Sequence, residues 1–362
     1  MDPRFKKPKT ETKVYAAISG GVDSAVSAAL LAKEGYQVTG VYMKNWSGDR
    51  FGLQADCPWE QDQKDAQQVC SLLGIPFRSF NFEKQYRDKV VEYFFNELKA
   101  GRTPNPDIMC NKEIKFKLFL EKAIQGGADL IATGHYAQIV YNDSSNELEL
   151  HKGIDKNKDQ SYFLNTLTQN QLSRTLFPIG GYRKSEIRSL AKKLGLHVHG
   201  KPDSQGICFI GEINVKQYLR KVLPINHGDI VDIDTGEILG THDGVAFYTI
   251  GQREGLRIGG AEKPYYVADK AKDDNILFVA MGKHNPTLYK SSVDFGDLYL
   301  TGEEAFGNRL SAGIRYRQKP SLGTMDIDRH TFTFETPQRA IAQGQSIVFY
   351  DNSRLVGGAV IQ

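Results

Sequence analysis

The chain has few cysteines, no long apolar run and almost no net charge. Its 362 residues include four cysteines and no Cys-x-x-Cys pair, which excludes a disulfide-stapled fold and a zinc ribbon. No run of about 18 apolar residues could span a bilayer, and the N-terminus lacks the apolar core of a secretory signal. We therefore expect a soluble, cytoplasmic protein with no membrane partner.

The charge balance limits how the chain could bind a polyanion. Lysine and arginine number 46 against 43 aspartates and glutamates, and the first thirteen residues hold the whole surplus of three. This balance excludes indiscriminate coating of nucleic acid. Basic residues nevertheless gather at 172–201 and 309–319, which makes these segments candidate phosphate contacts. A solvated helix face and a charged edge strand are the alternatives.

Hydrophobic periodicity predicts an α/β arrangement in the first part of the chain. Runs of β-branched residues predict strands at 13–18, 37–42, 77–80 and 129–133. Amphipathic stretches predict helices at 23–34, 59–73, 84–100 and 112–125. Three helices stop before Gly35, Gly74 and Gly101, which suit the left-handed position after a helix end. The alternation predicts a parallel sheet covered by helices on both faces.

Beyond residue 212 the pattern changes to short strands separated by glycine-rich turns. A short helix at 215–222 leads into a small β-rich module, and alternating segments from residue 289 onward predict an antiparallel barrel. We therefore expect three domains. Their predicted ranges are 1–212 for the nucleotide-binding domain, 213–287 for the central β-rich domain and 288–362 for the C-terminal β-barrel.

The strongest local signal is Ser-Gly-Gly-Val-Asp-Ser at residues 19–24, between a predicted strand and a helix. Backbone N–H groups in such a turn, with the first turn of the helix, form a positive cradle for a phosphate. Asp23 could hold a magnesium ion on that phosphate. The segment lacks the Gly-Lys-Ser/Thr ending of a Walker A loop and the third glycine of a dinucleotide fingerprint.

Two later loops each contain a cysteine. In 102–111 two prolines restrict the backbone and present Asn105 and Asp107 with little freedom. Cys110 lies at the start of the helix predicted at 112–125, where the helix dipole and nearby lysines favour a thiolate nucleophile. A small buried cysteine in a proline-rich connector is the alternative.

Cys208 lies in a second loop, 201–211, which is bounded by proline and glycine. Two loop cysteines can cycle between thiol, persulfide and disulfide. Cys70, in the middle of a predicted helix, is assigned to core packing. Cys57, in an acidic loop, is assigned no role.

Seven motifs occur in an order that resembles the tRNA-specific 2-thiouridylases, a family within the ATP pyrophosphatase (PP-loop) superfamily. They are SGGVDS, NPDIMCNKEIKF, ATGHYA, KDQSYFL, SQGICFIG, YTIGQREGL and RYRQKP. The first motif alone indicates the superfamily, and the two cysteine motifs indicate the family. The resemblance implies ATP-dependent replacement of the C2 oxygen of the tRNA wobble uridine by sulfur. It further implies adenylation of that oxygen, a cysteine persulfide, a persulfide-donating protein partner and a monomeric enzyme.

The resemblance also implies roles for individual residues. The ATP site comprises Ala17, Ile18, Ser19, Gly20, Gly21, Val22, Asp23, Ser24, Met43 and Gly134, and the Mg²⁺ ligand is Asp23. The target base is held by Asn105, Pro106 and Asp107, and Asp107 is also a candidate acid or base. The catalytic cysteines are Cys110, the nucleophile, and Cys208, the persulfide carrier. The tRNA contacts are His135, Lys158, Asp159, Gln160, Arg315, Tyr316 and Gln345.

Two other functions remain open at this point. An amidating or ligating ATP pyrophosphatase that acts on a small metabolite would explain the phosphate loop, but it gives no role to Cys110 or Cys208. A non-catalytic tRNA-binding protein would keep the loop only as structure.

Overall fold

The nucleotide-binding domain is built on a parallel sheet, as predicted. A computed structural model of the chain describes residues 2, 4–47, 59–203, 220, 223–303 and 306–362. The strands of this sheet are β1 Lys13–Ala17, β2 Gln37–Lys44, β3 Phe77–Asn81, β4 Leu130–Ala132 and β7 Thr175–Leu176. Their order is β3-β2-β1-β4-β7, so the chain changes direction across the sheet between β1 and β4. In open parallel sheets, ligands bind at the carboxyl ends of the strands at such a switch point.

Helices cover this sheet, and three of them end just before the glycines that were predicted to stop them. The helices are α1 Val22–Lys33, α2 Trp59–Leu73, α3 over 83–99, α4 over 106–125, α5 Gln169–Leu172 and α6 Lys184–Lys193. Short 3₁₀ turns occur at Lys9–Glu11, Ser161–Leu164 and His197–Gly200. Gly35, Gly74 and Gly101 follow α1, α2 and α3 with φ of 91°, 65° and 78°. The predicted glycine stops are therefore confirmed.

The C-terminal sheet includes two strands from the first half of the chain. These are β5 Ala137–Asn142 and β6 Glu147–Lys152, which form a hairpin. The other strands are β12 Tyr289–Asp294, β13 Tyr299–Leu300, β14 Arg309–Gly313, β15 Ser321–Asp326, β16 Thr331–Arg339, β17 Ser346–Asp351 and β18 Arg354–Val360. The order β12-β16-β15-β14-β17-β18-β6-β5 joins the hairpin to β18, where Leu355 lies opposite Leu150.

A smaller sheet lies between these two in the sequence. Its strands are β8 Gly228–Asp232, β9 Ile238–His242, β10 Tyr265–Ala271 and β11 Ile276–Met281, in the order β10-β11-β8-β9. Short 3₁₀ turns occur at Val245–Phe247 and Pro286–Leu288. The predicted fold class, an α/β nucleotide-binding domain followed by a β-rich module and an antiparallel β-domain, is confirmed.

Three further expectations concern the segment 309–319, the helix at 215–222 and membrane spans. Within the basic segment 309–319, the strand stops early: β14 ends at Gly313, and Arg317 has a φ of 64°, which turns the chain. The helix predicted at 215–222 lies outside the described residues except for Arg220, and the domain boundaries near 212 and 287 stay predictions. In the described part of the chain, every helix is too short or too polar to cross a membrane.

A close contact between β2 and α2 gives a test of the packing. A Cβ atom on Gly40 would lie 2.3 Å from the Cys70 sulfur and 2.8 Å from Ile18 Cδ1. Both neighbours are buried, and burial raises the pKa of the Cys70 thiol to about 11. We therefore expect Gly40→Ala to lower the free energy of unfolding by about 1 to 3 kcal/mol.

Urea unfolding of Gly40→Ala, Cys70→Ala and the double variant measures this coupling. Because Cys70→Ala removes the sulfur, the double variant should lose less than the sum of the single losses. Gly181→Ala is the control, since a Cβ there meets no atom within 4 Å. Strict additivity of the Gly40 and Cys70 changes would contradict the packing described.

Candidate active site

The turn between β1 and α1 has the form of an anion cradle. Gly21 is the N-cap of α1 and provides no side-chain hydrogen bond, so the first N–H groups of the helix are left to other partners. The Ser19 N–H donates to Ser24 Oγ over 3.1 Å, and Ser24 Oγ donates to the Gly21 carbonyl over 3.0 Å. Ser24 therefore holds the loop in shape.

Two glycines are required by the close packing around this turn. Gly20 has a φ of 77°, and a Cβ there would lie 2.4 Å from the Asp62 carbonyl oxygen on α2. A Cβ on Gly134, which follows β4, would lie 2.8 Å from the backbone nitrogen of Ser24. Thus the turns after β1 and β4 meet at the switch point, and the assignment of Gly134 to the ATP site stays a prediction.

Asp23, in the first turn of α1, is the centre of an ion-pair network. Lys184 Nζ lies 2.8 Å from each Asp23 carboxylate oxygen, and the Tyr136 hydroxyl donates to Oδ1 over 2.7 Å. Lys184 also lies 2.7 Å from Asp203, a carboxylate that accepts further hydrogen bonds from Lys158 and Arg188. Long side chains from three segments therefore converge beside the cradle.

The charge state of Asp203 reflects these partners. Its burial would raise the pKa, but hydrogen bonds from Lys158 and Lys184 outweigh the burial and lower the pKa of Asp203 to about 2. Asp203 is therefore an anion at neutral pH. Lys201, two residues earlier, donates to the Gly20 carbonyl over 3.1 Å and pairs with Asp62 and Asp65.

The basic segment 172–201 thus has two parts. Lys184, Arg188 and Lys201 point toward carboxylates around the turn between β1 and α1, whereas Lys192 and Lys193 are exposed on α6. The sequence could only count these charges. Their direction depends on Asp23, Asp62 and Asp65, which are 136 to 161 residues away along the chain, and on Asp203, which closely follows the segment.

The loop with the predicted base contacts leads into α4 earlier than expected. The helix begins at Pro106, because the Asn105 side chain accepts from the N–H groups of Asp107 and Ile108, both at 3.2 Å. The prediction that Cys110 lies at the start of a helix is therefore wrong. Cys110 lies in the second turn and is fully buried.

Contacts from the turn before β17 and from the central sheet hold this loop. The Thr103 N–H donates to the Gln343 carbonyl over 2.7 Å, and the Gln345 side chain donates to the Thr103 carbonyl over 2.9 Å. From the central sheet, Lys270 donates to the carbonyls of Gly101 and Tyr248. Burial lowers the pKa of Lys270 to about 8. The position of the base loop therefore depends on residues far along the chain.

A hydrogen bond and a ring contact connect Asn111, next to Cys110, to the segment that contains Tyr316. Asn111, the residue after Cys110, donates from Nδ2 to the Phe163 carbonyl over 3.1 Å. The rings of Phe163 and Tyr316 lie 4.3 Å apart. Asn111 is buried, and its Oδ1 atom has no hydrogen-bond partner in the described structure. Asn111 is a polar group at this site that the sequence did not single out.

His135 connects the cradle to α4 from inside the protein. It follows Gly134, its ring lies 5.7 Å from that of Phe116 on α4, and its Nδ1 lies 2.7 Å from Thr133 Oγ1. Burial and the nearby Lys115 charge lower the pKa of His135 well below its usual value, so the ring is neutral at pH 7. In this structure His135 is an interior residue.

Several other residues assigned to tRNA also have partners within the protein. Asp159 accepts from Gly153 and Ser161, and burial raises its pKa. Gln160 accepts from the Tyr136 N–H over 3.1 Å, and Arg315 donates to the carbonyls of Ile250 and Ala340. Their contacts with tRNA stay predictions.

The remaining predicted residues divide by location. Met43 is buried near the end of β2, in a hydrophobic cluster that also contains Cys110. Cys208 and Cys57 lie outside the described residues. The structure thus brings the phosphate loop, Gly134 and Met43 to one side of the domain and connects them through His135 and Phe116 to the helix of Cys110.

The fold and the phosphate loop define a nucleotide-binding α/β protein with appended β-domains, and comparisons with known proteins agree. Residues 12–212, more than half of the chain, match the family described as tRNA methyl transferase HUP domain. Residues 216–281 match the tRNA methyl transferase PRC-barrel domain, and 299–361 match the aminomethyltransferase beta-barrel domain.

Full-length relatives specify the family. The chain is 48% identical to the tRNA-specific 2-thiouridylase MnmA of Alkaliphilus oremlandii, with 98% of each chain covered. It is also 48% identical to the MnmA proteins of Exiguobacterium sibiricum and Geobacillus thermodenitrificans, over 100% and 99% of this chain and 96% of each relative. The chain belongs to the tRNA-specific 2-thiouridylase family.

The cap at Asn105 predicts a stability effect that is independent of any ligand. Asn105→Ala removes the acceptor for two N–H groups and should lower the free energy of unfolding by about 1 kcal/mol. Asn105→Ser keeps a capping oxygen and should cost much less. Equal urea midpoints for Asn105→Ala and the wild type would contradict the cap.

The neutral state of His135 predicts a pH dependence. Because the folded state resists protonation and the unfolded state binds a proton below pH 6.5, this residue should remove about 1.4 kcal/mol of stability per pH unit below 6.5. In His135→Gln, the loss of unfolding free energy between pH 7.5 and pH 5.5 should be smaller by about 1.4 kcal/mol. Exposed His284→Gln is the control. Parallel profiles for His135→Gln and the wild type would contradict the neutral, buried assignment.

Proposed function

We propose that this protein catalyses ATP-dependent 2-thiolation of the wobble uridine of tRNA. The observation that carries the proposal is the uncapped N-terminus of α1 at the switch point, joined through His135 and Phe116 to the helix with buried Cys110. The N-terminus of α1 is a cradle for phosphate. The helix α4 places the Cys110 thiol close to the loop that Asn105 ends. The relatives named tRNA-specific 2-thiouridylase align over nearly the whole chain.

The first step is activation of the uridine. The urea-like C2 of uracil is a poor electrophile, so its oxygen attacks the α-phosphorus of ATP, pyrophosphate leaves, and an AMP leaving group is attached to C2. The first N–H groups of α1 bind the phosphates. Asn105, Pro106 and Asp107 hold the base, and Asp107 can exchange a proton with it. The base must leave its stack, which costs a few kcal/mol.

The second step is sulfur transfer. Cys208 carries a persulfide supplied by a donor protein, and the Cys110 thiolate attacks its inner sulfur to form a Cys110–Cys208 disulfide and release hydrosulfide. The hydrosulfide attacks C2 and expels AMP, which leaves 2-thiouridine. A cellular thiol reductant then supplies two electrons to restore both cysteines. Water must be kept from the adenylate, which it would otherwise hydrolyse; the Cys110 side chain itself is buried.

Asp23 is the residue proposed to hold Mg²⁺. Magnesium is commonly held by one or two carboxylates together with substrate phosphates, so a single carboxylate beside the cradle is a sufficient protein ligand. In the described residues no three His, Cys, Asp or Glu side chains converge as a metal cage. The metal would neutralise charge on the leaving pyrophosphate.

Methyl transfer, which the description of the matched family names, fits the site less well. The phosphate loop suits a polyphosphate, and adenylation requires one. A small-metabolite ligase would leave the buried Cys110 and the clamped base loop without a role. A non-catalytic tRNA-binding protein would not need the uncapped cradle. We further propose that the enzyme acts as a cytoplasmic monomer on tRNA.

Nucleoside mass spectrometry tests the proposal. tRNA incubated with the protein, ATP, Mg²⁺ and a persulfide donor should gain 2-thiouridine, and omission of ATP should prevent this. Cys208→Ser should abolish the product because it cannot carry a persulfide. Cys70→Ala, which changes a buried cysteine of the core, should retain activity. Tight tRNA binding without 2-thiouridine, or full activity of Cys208→Ser, would contradict the proposal.

A further inference from the structure

Lys184 occupies an unusual position for a basic residue. It is the first residue of α6, and its backbone N–H donates to Asp155 over 2.9 Å. Its side chain is only 12% exposed, and its ammonium group lies between Asp23 and Asp203. An ammonium group this enclosed needs anionic partners. One of these two partners, Asp23, belongs to the turn of α1 that lines the cradle.

Each carboxylate beside Lys184 also has another partner. The Tyr136 hydroxyl donates to Asp23 over 2.7 Å. Lys158 and Arg188 lie 2.6 and 3.0 Å from Asp203. Movement of the Lys184 ammonium would therefore leave neither carboxylate without a hydrogen bond. The network is arranged so that Lys184 can change partner at low cost.

The nucleotide proposed for this site brings several negative charges into the cradle. One Mg²⁺ offsets only part of the charge of a triphosphate. Lysine is a point charge on a flexible stem, which suits it to phosphate oxygens. Transfer of the Lys184 ammonium to the phosphates would also release Asp23 Oδ2 for the metal ion, while Tyr136 keeps its hydrogen bond to Oδ1.

We propose that Lys184 is a phosphate-binding residue that pairs with Asp23 in this structure and moves to the β- and γ-phosphates when ATP binds. This inference rests on the proposed function, because it assumes that the cradle binds ATP. Its role is to bind the leaving pyrophosphate and to leave Asp23 to the metal ion.

Lys201, the other lysine beside the loop, has a different arrangement. It donates to the Gly20 carbonyl and pairs with Asp62 and Asp65 on α2. These contacts fix the loop against α2. Lys201→Met should therefore weaken binding of every nucleotide to a similar extent, which makes it a useful comparison.

Isothermal titration with ATP and with AMP, each with Mg²⁺, tests the proposal. Loss of a hydrogen bond to a charged group costs about 1.5 to 3 kcal/mol, so Lys184→Met should weaken ATP binding roughly 10- to 100-fold. AMP lacks the β- and γ-phosphates, and its affinity should change less than about threefold by the same reasoning. Lys192→Met, an exposed change on the same helix, should alter neither.

Four other outcomes would contradict the role of Lys184 or the proposed function. Equal weakening of ATP and AMP by Lys184→Met, or no weakening of either, would overturn the proposal. Lys184→Arg keeps a positive charge for both carboxylates and should retain most ATP affinity, so it supplies the test if Lys184→Met does not fold. A loss of ATP affinity in Lys184→Arg as large as that in Lys201→Met would also overturn it. Failure of the wild type to bind ATP would instead contradict the proposed function.

Discussion

The ammonium group of Lys184 lies 2.8 Å from both carboxylate oxygens of Asp23, beside the uncapped N-terminus of α1. The partial positive charge of a helix N-terminus favours an anion, and here the first turn supplies Asp23. Lys184 offsets the charge of that carboxylate in a partly buried setting. The same ammonium group also lies 2.7 Å from Asp203 and, together with Lys158, keeps that carboxylate anionic.

The loop before α4, the other part of the site, is held by residues of the two β-domains. The base loop is short and contains two prolines, and its carbonyls and N–H groups are paired with Gln343, Gln345 and Lys270. Gln343 and Gln345 lie in the turn before β17 of the C-terminal sheet, and Lys270 lies on β10 of the central sheet. The β5–β6 hairpin adds a further connection, because it extends the C-terminal sheet from within the nucleotide-binding domain. The β-domains therefore position the loop in addition to any contact they make with RNA.

The sequence predicted those features that depend on local residues. Strand periodicity and the glycines after α1, α2 and α3 determined the parallel sheet, since both act within a few residues. The sequence does not give the start of α4, because Asn-Pro-Asp, which begins the helix with Asn105 as its cap, is also typical of a loop that presents its side chains. The inward direction of Lys184 could not be predicted, because its partners are 161 and 19 residues away in the chain. Tertiary packing, which a charge count does not contain, decides such cases.

The proposed adenylation requires that the C2 oxygen of the target uridine leaves on AMP. It can be tested with tRNA in which this oxygen is ¹⁸O, incubated with the enzyme, ATP, Mg²⁺ and a persulfide donor. Adenylation predicts one ¹⁸O atom in the phosphate of each AMP formed together with 2-thiouridine. Unlabelled AMP, with the label released to water while 2-thiouridine accumulates, would contradict it.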